Sequence, residues 1–168
     1  ARARLKPAYV WAAFGLLGLA GLQSRLQVSE MESYQRTQAL LLLDDIANRI
    51  NTNRAHAASY VTGSSNPLGT GVDACTVDTA TTRQVQDSCE WHNALLGAAE
   101  SKSGGSSVGA MVGARGCVEN LGNNTYLVTV AWQGLTPISA PPASVACGQT
   151  LYTVATGSTC TGELCRRV

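Results

Sequence analysis

Residues Ala8 to Leu22 read AYVWAAFGLLGLAGL, a run of 15 residues without a charge. No proline or turn cluster separates it from the helix-patterned segment that continues to about Tyr60. A helix of that extent is roughly 80 Å long at 1.5 Å per residue. That exceeds what a small globular core can enclose, so its first part is expected to protrude. The chain has 168 residues, and the part beyond Tyr60 suffices for one modest core.

Arg2, Arg4 and Lys6 precede the run, and the first acidic residue is Glu30. Positive charge stays on the cytoplasmic side of a membrane segment, which orients the N-terminus inward and the remainder outward. Crossing a bilayer core takes about 20 residues, with a lower limit near 17. Snorkelling of Lys6 brings the run close to that length. A signal-peptide h-region has a similar basic lead and length. A buried core helix would show a polar face somewhere between Ala8 and Leu22. The reading adopted is a retained anchor, with residues 1–24 as a hydrophobic helix for a membrane or filament core. Residues 25–168 are then a head outside the cytoplasm that includes the amphipathic half of the helix. Phe14, Leu16, Leu17, Leu19 and Leu22 are its packing residues. Gly15 and Gly18 cost a helix in water about 1 kcal/mol each relative to Ala, but allow close backbone approach between helices.

Beyond Gln23 the apolar positions Leu42, Ile46 and Ile50 recur one turn apart, extended by Leu26, Met31, Tyr34, Leu41, Ala57 and Val61. Glu32–Arg36 and Asp45–Arg49 are i,i+4 pairs of favourable orientation. Gly63-Ser64-Ser65-Asn66-Pro67 ends the helix. Asp78 or Thr79 is the expected cap of a second helix reaching about Ser101. Its inward face reads Val85, Cys89, His92 or Asn93, and Leu96, with Trp91 and Leu95 beside it. His92 is expected to be a hydrogen-bonded side chain. Ser101–Ser107 (SKSGGSS) reads as a linker. Strands are expected at Ala110–Glu119 and Thr125–Trp132, joined by a turn at Gly122-Asn123-Asn124. A last short strand is expected at Leu164–Val168, cut off mid-strand. Leu42, Ile46, Ile50, Trp91, Leu96 and Trp132 form the expected head core.

The six cysteines Cys75, Cys89, Cys117, Cys147, Cys160 and Cys165 all lie beyond the long helix. An even count without a CxxC pair reads as three disulfides made in an oxidising compartment. A zinc site would need a second ligand pair beside Cys89 and His92, so no metal is expected. Charged residues make up 14% of the chain and the net charge is +1. That leaves no basic footprint for nucleic acid. No nucleophile elbow, P-loop or dinucleotide fingerprint is present, and Asp44 and Asp45 diverge on their helix. The chain reads as a non-catalytic subunit without a cofactor.

Several stretches resemble type IV pilus minor pilins of the PilV type. They are Gly15–Gln23 (GLLGLAGLQ), Tyr34–Leu40, Asp45–Arg54, Cys89-Glu90-Trp91, Arg115-Gly116-Cys117, Val128–Gly134 (VTVAWQG) and Leu164–Val168. They occur in the family's order over most of the chain. The mature family N-terminus carries Phe or Met, then Thr or Ser, two apolar residues and a Glu. Here residues 1–6 read ARARLK. The resemblance implies an α+β, pilin-like fold: a long spine helix on a small antiparallel sheet, a second helix in the αβ region, and disulfide-tied loops. It also implies a minor pilin that helps initiate pilus assembly and sits at the tip, supporting adhesion and twitching motility. Its implied partners are other minor pilins, the major pilin and a tip adhesin. The implied location is the inner membrane, with the head periplasmic, and then the pilus tip. Alternatives are a type II secretion pseudopilin and a membrane-tethered extracytoplasmic binding module. Among fifteen possible connectivities, the favoured set is Cys75–Cys89, Cys147–Cys165 and Cys117–Cys160.

Overall fold

The computed structural model describes residues 7–71, 75–76, 78, 81–97, 111–154 and 159–168. The ARARLK segment, Thr79 and the expected Ser101–Ser107 linker lie outside the described residues. The element order is α1 (Pro7–Thr52), a 3-10 helix (Arg54–Tyr60), α2 (Arg83–Leu95), β1 (Val112–Gly122), β2 (Thr125–Gln133), a 3-10 turn (Glu163–Cys165) and β3 (Arg166–Arg167). The chain is therefore α+β, with one three-stranded antiparallel sheet in the order β1-β2-β3. It divides into two units between Tyr34 and Gln35.

In the first unit, α1 presents Trp11, Phe14, Leu16, Leu17, Leu19, Leu22, Leu26, Met31 and Tyr34 as exposed side chains. Among the described residues no helix is long and apolar enough to cross a membrane, which corrects the expected transmembrane helix. The apolar run stops at Leu22, before Gln23, Ser24 and Arg25, and its glycines and alanines dilute its hydropathy.

In the second unit, Ala39, Ile46 and Ile50 bury one face of α1 against Tyr60, Trp91, Leu95, Val118, Val130 and Trp132. Leu42 and Leu43 pack on this core while remaining half-buried. The stripe at one-turn spacing thus narrows to Ile46 and Ile50, and Leu41 stays exposed. The long helix stops at Thr52 rather than continuing to Tyr60. Asn53 leaves the helical region (φ −117°, ψ 43°) before the 3-10 helix begins. The cause is a cluster of short polar side chains that bond the backbone or one another locally. Thr52 Oγ1 donates to the Arg49 carbonyl at 2.9 Å, and Arg54 Nε donates to Asn51 Oδ1 at 2.6 Å.

The sheet is a hairpin with a short third strand. Asn123 and Asn124 both take positive φ (51° and 57°), the requirement of a two-residue turn matched to strand twist. β1 pairs with β2 from Val112↔Gln133 to Gly122↔Thr125, and Val118 lies opposite Val128. Gly116, Val118, Val128, Val130 and Trp132 face the helices. Any Cβ at Gly116 would collide with the Trp91 ring and Leu95, so the residue lets α2 lie directly on β1. The opposite face carries Cys117 and Ala131, covered by Cys147 and Tyr152. Both faces of the sheet are thus covered toward the β3 end, one by helices and one by the loop after β2, while the turn end at Leu121 is exposed.

Candidate functional site

Three features of the chain can do something beyond holding the fold, and each belongs to a single unit. The first is the apolar surface of α1 before Tyr34. Phe14, Leu16, Leu17 and Leu19 are 67%, 67%, 70% and 58% exposed. At 100° per residue these four positions circle the helix rather than sharing a stripe. Leu22, at 60% exposure, extends the same surface. A Cβ built at Gly15, Gly18 or Gly21 would meet nothing within 4 Å. The segment therefore presents apolar knobs and small-residue hollows together, as a helix that packs among other helices does.

The second feature is a charge cluster inside the head that the sequence did not reveal. Asp87 on α2 is 1% exposed. Its Oδ1 accepts from Arg49 Nη1 at 3.1 Å and from Arg83 Nε at 3.0 Å. Its Oδ2 accepts the Tyr60 hydroxyl at 2.6 Å. Burial pushes the carboxyl up, but Tyr60, Arg49 and Arg83 outweigh that and hold it below the ordinary range. Burial, and then the Asp87 carboxylate, push the Tyr60 hydroxyl the other way. Arg49 also pairs with Asp45 at 2.9 Å, the expected i,i+4 pair, and with Glu90. Asn53 Nδ2 donates to the Tyr60 oxygen at 3.0 Å, closing the network. Both Asp87 oxygens accept from donors on other turns, so the cluster clamps α2 to α1.

This clamp rotates α2 from its expected phase. The buried residues are Asp87, Cys89, Trp91 and Leu95, while Val85 is exposed and His92 and Leu96 are half-buried. Trp91 is fully buried, and its indole donates to the Leu42 carbonyl at 2.9 Å. The residue capping α2 is Thr82, not Asp78. His92 Nδ1 accepts the Gly69 N–H at 3.1 Å, the ordinary hydrogen-bonded role expected of it.

The three disulfides are Cys75–Cys89, Cys117–Cys147 and Cys160–Cys165. The expected Cys147–Cys165 and Cys117–Cys160 pairs are corrected. Strand alternation turns Cys117 toward the covering loop, where Cys147 lies on it, and Cys165 closes locally on Cys160. The tie expected between Cys147 and the last strand is made instead by a buried side chain. Arg166, 1% exposed, donates from Nη1 to the carbonyls of Val145 at 2.6 Å and Cys147 at 3.1 Å, and from Nε to Glu163 at 2.7 Å. Burial pushes the Glu163 carboxyl up, but the Thr150 N–H and Arg166 together hold it low. Among the described residues no group of three His, Cys, Asp or Glu side chains is placed to hold a metal.

The third feature is a groove of about 720 Å³ between the end of α1, the 3-10 helix and β2, lined by residues that include Ile50, Asn51, Arg54, Ala57, Tyr126 and Val128. Its size suits an organic ligand or peptide side chains. Comparison of the chain with protein-family models, curated proteins and solved structures finds no match.

Proposed function

We propose that the chain is a minor pilin of a type IV pilus, a non-catalytic subunit that helps initiate assembly and sits at the filament tip. The observation that carries this reading is one helix with two consecutive surfaces. From Trp11 to Leu22, α1 is apolar around its circumference and uncovered, while Ala39, Ile46 and Ile50 on the same helix build the core of a disulfide-bonded head. A helix of the first kind gains stability only when other apolar surfaces cover it. In this reading the cover is the helices of neighbouring subunits, which the hollows at Gly15, Gly18 and Gly21 allow to approach closely. The head works outside the cytoplasm, where disulfides persist. Assembly starts at the inner membrane, with other minor pilins, the major pilin and a tip adhesin as partners.

Deleting the gene and scoring surface pili and twitching motility tests the proposal. Loss of piliation, restored by the intact chain but not by one carrying Leu16→Glu, is the expected result. Normal piliation in the deletion strain would sink it. Co-purification with components of a protein-secretion system, rather than with pilins, would point to the pseudopilin reading.

A further inference from the structure

We propose that residues 147–152 form a strained strap across the sheet face that carries Cys117 and Ala131, held down by the Glu163 carboxylate. Loss of the charge on Glu163 lets the strap lift from Gly148 onward, while the Cys117–Cys147 disulfide keeps its start in place.

The strap meets the sheet at both ends and arches between them. Cys147 and Gly148 are buried at one end, and a Cβ at Gly148 would lie 3.0 Å from Ala131 and 3.1 Å from the Tyr152 ring. At the other end Tyr152, 3% exposed, donates its hydroxyl to the Gly113 carbonyl at 3.1 Å. Gln149, Thr150 and Leu151 are exposed, and the Leu151 N–H closes a turn onto the Gly148 carbonyl at 3.3 Å. Thr150 stands at the third position of that turn with φ 61°. Positive φ there is ordinary for Gly or Asn and strained for a β-branched residue. The Thr150 side chain makes no hydrogen bond among the described residues, so nothing it does offsets that strain.

One short segment grips the strap at its start, apex and end. Arg166 Nη1 donates to the Cys147 carbonyl at 3.1 Å. Glu163 Oε1 accepts the Thr150 N–H at 2.7 Å, while its Oε2 accepts Arg166 Nε at 2.7 Å. The Gly162 N–H donates to the Tyr152 carbonyl at 2.6 Å, and the Cys160–Cys165 disulfide closes this segment into a ring. Among the described residues only the Glu163 bond reaches the strained residue itself. The Glu163 side chain is 35% exposed, so protons reach it from solvent. The charged and titratable groups that act with it are Arg166 and Tyr152, and neither can replace its carboxylate. Protonation removes the charge that strengthens both bonds, and the strain at Thr150 then favours the lifted strap. Thr150 and Arg166 hold the carboxyl below its ordinary range. The strap therefore stays down at neutral pH and lifts as pH falls through that lowered value. Lifting bares the apolar patch around Ala131 and the Cys117–Cys147 bridge.

The test uses the disulfide-intact full chain and NMR. At neutral pH the Tyr152 ring should show a nuclear Overhauser contact to the Gly113 α protons. Glu163→Gln keeps the side chain's size, but a neutral amide has one acceptor oxygen and cannot serve both donors. It should abolish that contact and speed Thr150 amide exchange by at least about tenfold. The Gly116 amide, bonded to Leu68, should keep its protection. Acid should do the same to the unaltered chain and add nothing in Glu163→Gln. Thr150→Asn should raise the thermal midpoint by about 2–4 °C, and adding it to Glu163→Gln should restore the contact. A midpoint unmoved or lowered by Thr150→Asn would overturn the proposal, because the turn would then carry no strain. So would a contact that survives Glu163→Gln, or a double variant that stays open. Loss of Gly116 protection together with the contact would mean that the face opens only by unfolding, and would overturn it too.

Discussion

The Tyr60 hydroxyl donates to the buried Asp87 carboxylate at 2.6 Å, joining the 3-10 helix after α1 to the middle of α2. The carboxylate is held ionised by this bond and by two guanidinium groups, that of Arg49 from α1 and that of Arg83 from one turn earlier in α2. Removing Tyr60's donor with Tyr60→Phe leaves a buried anion short of one partner. The expected loss is about 1.5–3 kcal/mol, the range for hydrogen bonds to charged groups, read as a lower denaturant midpoint with an unchanged slope.

The same pair, together with Glu163, contributes to the pH dependence. Asp87 and Glu163 have folded pKa values below their ordinary ones, so the folded state binds fewer protons than the unfolded chain in the acid range. Their contribution is complete above the ordinary carboxylate range and fades as pH falls through the depressed values. Tyr60 is raised, so its contribution is complete below the ordinary phenol range and is lost as pH rises through the raised value. Asp87→Asn should flatten the acid limb of a stability–pH curve, and Tyr60→Phe the alkaline limb.

Gly116 has no room for a side chain, because the Trp91 ring and Leu95 fill the space where a Cβ would stand. Gly116→Ala should therefore destabilise the head by about 1–3 kcal/mol through overpacking. Pairing it with Trp91→Phe should recover part of the loss in a double-mutant cycle measured by urea unfolding.

The disulfides are expected to differ in worth by the chain they enclose. Cys117 and Cys147 are separated by 30 residues, Cys160 and Cys165 by 5. On the chain-entropy account, removing the first pair by double alanine substitution costs about 3.5 kcal/mol and removing the second about 2 kcal/mol. Non-reducing peptide mapping by mass spectrometry checks the connectivity, and thermal unfolding of the two variants checks the order.

Leu16 and Leu19 are 67% and 58% exposed on α1. Leu16→Glu and Leu19→Glu should leave head stability within about 0.5 kcal/mol, as for surface sites away from special features. The same variants should reduce association between full-length chains, measured by sedimentation. A matching fall in head stability would mean that these side chains are covered within the chain.

Much of this protein follows from local pattern. The uninterrupted helix-forming run, the alternation in Thr125–Trp132 and the Asn123-Asn124 turn each depend on neighbours in sequence, and α1, β2 and the hairpin appear at those places. An even set of six cysteines after the helix implied three disulfides, and three are present. The groove was not legible, since it joins residues near Ile50 to others near Tyr126.

What tertiary structure alone decided is everything that depends on meeting a distant group. Asp87 is buried where Arg49 and Tyr60 come to it, on the face of α2 that also carries Cys89, Trp91 and Leu95. Cys117 chose Cys147 because the loop after β2 folds onto the far face of the sheet, while Arg166 took the role expected of a disulfide. The uncharged run from Ala8 to Leu22 shows both sides of the division. Its sequence determines that it is helical and apolar all round, since backbone propensity and side-chain chemistry are local. Which surface covers it is not set by that local pattern, because an apolar helix is satisfied by any apolar neighbour that can approach it.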